Sequence, residues 1–157
     1  MLFLQIYKAW TFSDIRASGN NCGTSTAATI HIRTLNTSTD PTINSSCQLN
    51  LNQLTFTAGT YQINASTPIC AAGGTSAYFF NVTNGIYEIT GSNVFSDSVS
   101  TIQCVSCPLS GVIVVTGTKV YELRHYINLG LATTGLGRAC TTGLSEIYST
   151  VTVVKLA

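Results

Sequence analysis

The segment GTYQINASTPIC, Gly59 to Cys70, alternates cleanly. In an extended chain Tyr61, Ile63, Ala65 and Ile69 fall on one side and Gln62, Asn64 and Ser66 on the other. This is the period-two pattern of a strand with one dry face and one wet face, and it predicts a place in an outer sheet. Elsewhere no window of ten or more residues carries apolar positions at helical spacing, and Thr, Val, Ile, Tyr and Phe favour pleated strands. The fold class read from the chain is therefore all-β. Alternating runs bounded by Gly, Asn, Pro or Ser predict strands near 2–9, 27–35, 48–56, 59–70, 75–83, 86–95, 99–105, 110–117, 119–127 and 146–156.

Asn84-Gly85, between AYFFNVT and IYEIT, predicts a hairpin closed by a type I′ turn, whose two central residues both need positive φ. GVIVV is apolar on both sides: Val112 and Val114 on one, Ile113 and Val115 on the other. An antiparallel strand of this kind needs cover twice, once from its own core and once from a second subunit. Residues 36–50 and 128–145 are rich in turn formers and read as loops. No repeat, linker or charge block divides the chain, so residues 1–157 read as one domain. Eight or more antiparallel strands without helices point to a two-sheet jelly-roll sandwich, with an immunoglobulin-like sandwich as the next choice.

Composition narrows the function classes. Charged residues make up 8% of the 157, and Ser and Thr about a quarter, so the surface is polar without being ionic. A net charge of +1, spread singly, provides no basic stripe for a phosphate backbone, and nucleic acid is not an expected partner. No run approaches the roughly 20 apolar residues of a spanning helix, and MLFLQIYKAW lacks the pattern of a signal peptide, so neither membrane insertion nor cleavage is expected. The six cysteines, at 22, 47, 70, 104, 107 and 140, read first as reduced, packed thiols, then as disulfides, and last as metal ligands. Cys104 and Cys107 are half of a zinc motif without a second half, and on a strand they face opposite ways. Sequons stand at Asn36, Asn44, Asn64 and Asn81.

Catalysis and a cofactor are not expected. His31 and His125 are the only histidines, and the carboxylates Asp14, Asp40, Glu88, Asp97, Glu122 and Glu146 are dispersed. A hydrolase would require a pocket bringing one of the histidines to a Ser or Cys. The densest polar run is VYELRHYI, where Glu122, Arg124 and Tyr126 share one face. They fit either a solvated surface pair or a subunit contact in which Arg124 forks to a carboxylate and Tyr126 adds rigid area. On the second reading Arg124→Glu shifts the assembly toward monomer.

Phe56, Gly59, Tyr61 and Ile63 resemble the F-x-x-G-x-Y-x-I signature of complement and tumour-necrosis-factor type jelly-roll heads, in the version found in viral and phage virion proteins. In order, Gly23–Thr37, Phe80–Gly85, Gly91-Ser92, Tyr121–Tyr126, Gly135–Gly137 and Glu146–Ala157 resemble other segments of those heads. The resemblance implies a homotrimer on a virus particle, as fibre knob, tail tip or capsid decoration. Other virion proteins, and a host surface glycan or protein, are the implied partners. The chain departs from that group in having no stalk before the head and in its six cysteines. A different class, a secreted complement-type module binding glycans or proteins through its loops, is the alternative, with an extracellular location.

Overall fold

A computed structural model describes residues 8–39, 45–96 and 102–156. Among them lie twelve strands and no helix, hence none long and apolar enough to cross a membrane. The strands are β1 (Lys8–Arg16), β2 (Thr29–Ile32), β3 (Thr37–Ser38), β4 (Cys47–Asn50), β5 (Gln53–Phe56), β6 (Gly59–Cys70), β7 (Gly73–Asn81), β8 (Ile86–Thr90), β9 (Val94–Ser96), β10 (Cys104–Val115), β11 (Lys119–Ile127) and β12 (Glu146–Lys155). Two antiparallel sheets result. One has five strands in the order β10-β6-β12-β1-β3. The other has seven: β4-β5-β11-β7-β8 in order, with β2 beside β11 and β9 beside β7.

Between the sheets lies one aromatic cluster. Phe56 meets Tyr61 edge-on at 4.9 Å and Tyr121 at 5.2 Å, while Phe79 and Tyr121 stack at 4.9 Å. Trp10, Phe12, Leu54, Ile63, Leu123, Val151 and Val153 fill the remaining space, all buried. Such edge-to-face and stacked pairs each add about 1 kcal/mol beyond the area they hide. Tyr61 keeps its hydroxyl satisfied by donating to the Thr57 carbonyl at 3.0 Å. In the segment 56–63, then, Phe56, Tyr61 and Ile63 enter the core, and Gly59, at φ +154°, opens β6.

β6 and β11 keep the boundaries the alternation predicts, and Ile113 and Val115 enter the core while Val112 and Val114 face out. Several other boundaries differ. The expected strand 2–9 lies outside the described residues up to position 7, and the real strand continues to Arg16, with Trp10, Phe12 and Asp14 pointing inward. Asp40, Asn44 and Asp97 also lie outside the described residues. The run 48–56 is two strands turned at Leu51 (φ +45°) and Asn52 (φ +68°). The turn with two positive-φ residues is therefore here and not at Asn84-Gly85. That second hairpin forms, but through residues 82–85, with only Gly85 at positive φ (+71°). Its wider loop is held by Asn81, whose carboxamide accepts from Asn84 N at 3.0 Å and whose carbonyl accepts from Gly85 N at 2.8 Å.

The run 86–95 breaks between β8 and β9. Gly91 sits so close to β10 that a Cβ there would lie 2.4 Å from the Pro108 carbonyl oxygen. Residues 99–101 of the expected strand 99–105 lie outside the described residues; its end, from Cys104, and the run from 110 are one strand, β10, passing through Pro108. β10 is a sheet edge, where a residue without an N–H is tolerated. The reading of reduced thiols needs correction at one pair: Cys70 and Cys104 stand opposite each other in register and form a disulfide. Closing a loop with a separation of 34 residues stabilises the fold by about 4 kcal/mol in the chain-entropy picture. Cys22, Cys47 and Cys107 are buried free thiols and Cys140 an exposed one. Cys104 and Cys107 do face opposite ways, one exposed and one buried.

Candidate interaction faces

The outer face of the five-stranded sheet can be laid out from register. Ala9, Val154, Gln62 and Val112 form one row; Thr11, Thr152, Asn64 and Ser110 a second; Thr37, Ser13, Thr150, Ser66 and Pro108 a third. None of these side chains ionises. They bond to one another, Ser110 to Asn64 within a row at 2.7 Å and Ser66 diagonally to Ser106, which stands opposite Pro68. At the β10 edge Val112 is 58% and Val114 70% exposed. The face is an uncharged lattice with an apolar margin.

The outer face of the seven-stranded sheet differs. Register places Ile32, Arg124, Tyr78 and Thr90 in one row, and Gln53, Glu122, Phe80 and Tyr87 in the next. Arg124 bonds Glu122 at 2.8 and 2.9 Å and lays its guanidinium 3.5 Å from the centre of the Phe80 ring. Gln53 donates to the other Glu122 oxygen at 2.9 Å. Glu122 is buried and Arg124 half-buried, and both carboxylate oxygens have partners in this chain. Tyr87 packs on Tyr78 at 5.1 Å and on Phe80 at 4.8 Å, which continues the aromatic line. Ile30 and Ile32 lie exposed beside Tyr126 and Arg124.

The five residues read from sequence as a subunit contact therefore separate. Val112 and Val114 lie on one sheet's outer face, Glu122, Arg124 and Tyr126 on the other's. Asn84 and Gly85 remain at a loop tip, where Lys119 Nζ donates to Asn84 at 2.9 Å.

Among the described residues neither histidine bonds a Ser or Cys side chain. His125 is fully buried between the sheets, its Nδ1 bonded to Thr67 at 2.9 Å and its Nε2 to Thr75 at 2.5 Å. Burial, with the nearby Arg33 and His31 charges, lowers its pKa from 6.5 to about 3, so the ring is neutral. His31 accepts from Thr26 N at 3.0 Å.

Sequence reasoning missed a polar cluster at one end of the sandwich. Buried Asp14 accepts from Arg16 at 3.0 Å and from the Cys22 thiol at 3.3 Å. Buried Arg33 donates to Ser149 at 3.0 Å and to the Leu136 carbonyl at 2.6 Å, leaving Nη1 without a partner among the described residues. Burial raises the Cys22 thiol to about 11 although Arg33 pulls it down, which keeps it protonated. Nearby, Glu146 accepts backbone N–H bonds from Gly19, Cys140 and Thr141, tying two loops together and holding its pKa below the ordinary value. Among the described residues no three His, Cys, Asp or Glu side chains gather as a metal set.

No protein-family model matches the chain, and no curated protein is significantly similar to it in sequence.

Proposed function

We propose that the chain is a non-catalytic trimeric head displayed on a virus particle and folded as a jelly roll. The observation that carries the trimer is the uncharged outer face of the five-stranded sheet, with Val112 and Val114 at its margin. A face without ions loses little on desolvation, and exposed valines gain by being covered. Cyclic trimers are built head to tail, so the β10 margin of one copy meets a different part of the next copy's lattice. The jelly-roll reading is supported by the connections: the first and last strands lie side by side within one sheet, and the chain passes repeatedly between sheets. The virion placement draws on the ordered resemblance of the segments from Gly23 to Ala157.

Sedimentation equilibrium tests the assembly. The expected mass is three times the 16.6 kDa of the chain. A species of one chain's mass at every concentration removes the proposal. The placement is tested by a map of the assembled particle, where a three-lobed knob of this size is expected.

The Cys70–Cys104 disulfide favours a second reading, a secreted binding module, because such bonds persist in oxidising compartments. The sequons separate the two. Asn81 is buried and bonded to Glu88 and Tyr121, whereas Asn64 is exposed in the centre of the lattice. A glycan at Asn64 would cover the proposed packing face, so intact-mass measurement showing one supports the secreted module and rules out the trimer contact.

A further inference from the structure

At one end of the aromatic face, the start of β7, the end of β11 and the short β9 enclose a groove of about 390 Å³. That is within the range of clefts that take small ligands. Its walls are the half-buried rings of Tyr78 and Tyr126, with Phe95 across Gly74 on β9, while Val94 at the border packs on the core. Phe95 is 71% exposed, an aromatic ring left facing water on a three-residue strand.

Three features select the ligand. First, none of the groove's lining side chains is ionisable apart from the phenols of Tyr78 and Tyr126, so nothing there answers a charged group. Second, the hydroxyls at the floor are already committed: Thr75 donates to the Tyr126 carbonyl at 2.6 Å and meets His125, and Ser76 donates to the Gly91 carbonyl at 3.2 Å. The open hydrogen-bonding groups are the exposed carboxamides of Asn93 and Asn128, which bond no other described residue. Each offers a donor and an acceptor side by side, the pattern that two neighbouring hydroxyls satisfy. Third, the groove is held in shape before any ligand arrives. Asn128 N donates to the Gly74 carbonyl at 3.1 Å, and the Asn128 carbonyl accepts from Ala28 N at 3.2 Å.

A ligand matching these features has an apolar C–H face for the rings, paired hydroxyls on its rim and no charge. An anion finds no cation in the groove, and a purely aliphatic ligand leaves both carboxamides unused. We infer that this groove binds a neutral saccharide, with a pyranose ring stacked on Tyr126 and Tyr78 and its hydroxyls held by Asn93 and Asn128. The inference rests on the display reading for its use, since it names what the outward face grips, but the site requires no particular oligomer.

The test is titration of isotope-labelled full chain with neutral methyl glycosides of the gluco, galacto and manno series and their trisaccharides, with sialyllactose as a charged counterpart. At least one neutral sugar is expected to shift the amide signals of Asn93, Val94 and Asn128 saturably. Asn128→Ala and Phe95→Ser, both at exposed positions, are expected to weaken it roughly tenfold each while leaving the thermal midpoint unchanged. The inference is overturned if no neutral sugar moves these signals at concentrations on the order of 50 mM, if sialyllactose is preferred, or if the two variants bind like the parent. A trimer that ignores every sugar removes the site and leaves the display reading; a monomer that binds one does the reverse.

Discussion

One outer face of this sandwich is a lattice of hydroxyls, amides and small apolar groups, and the other is a line of aromatic rings around an internally neutralised ion pair. Both sides arise from the same period-two rule, by which alternate residues of each strand leave the core. What differs is what those residues do with their surroundings. On the five-stranded sheet they are short and bond to one another, so the face is flat and has little to reorganise. On the seven-stranded sheet the rings stand up from the strands and leave a concavity where β9 begins. A flat uncharged surface suits packing against a large partner, and a ring-walled concavity suits a small one.

The largest effect is expected from Val112→Asp combined with Val114→Asp. Six carboxylates would then enter a trimer at its proposed contacts, and like charges brought together cost several kcal/mol. Sedimentation should show assembly weakened on the order of 100-fold, with the monomer's thermal midpoint nearly unchanged because both positions are exposed. An unaltered trimer would move the contact elsewhere.

Arg124→Glu probes the opposite face. It strands buried Glu122 beside a second carboxylate and removes the cation stacked on Phe80, so unfolding free energy should fall by about 2 kcal/mol in denaturant titrations while the oligomer persists. If the variant dissociates with its fold intact, the roles of the two faces are exchanged.

The smallest effect concerns the joint between the faces. His125 links Thr67 on β6 with Thr75 on β7, and so ties one sheet to the other. The unfolded chain protonates this ring near 6.5, the folded chain only near 3. The unfolded state therefore binds the extra proton between those values, and stability falls as pH drops through the window, by about 1 kcal/mol per unit. In urea titrations from pH 7 to pH 5.5, over which this component amounts to about 1 kcal/mol, His125→Asn should remove it from the slope. A wild-type slope retained in full by the variant would assign it to other groups.

Much of the architecture was legible where alternation was unbroken. β6 and β11 are read to the residue because their inward positions are all apolar or nearly so. β1 was obscured by Asp14, an inward carboxylate whose partners Arg16 and Cys22 give no pattern in a linear reading. Leu51 and Asn52 make a tight turn without glycine, so nothing marked it, while Asn84-Gly85 marked a turn that Asn81 then widened. The groove was least legible of all. Tyr78, Asn93, Phe95, Tyr126 and Asn128 meet only through the pairing of β7 with β9 and β11, and no short motif encodes long-range register.

The lattice of Thr, Ser, Asn and Gln carries one more implication. A contact made of such groups has neither protons to exchange nor counterions to shed, so titration and charge screening have little handle on it. Copies joined through that surface would feel fresh water, brine or an acidified vesicle less than copies joined through ion pairs.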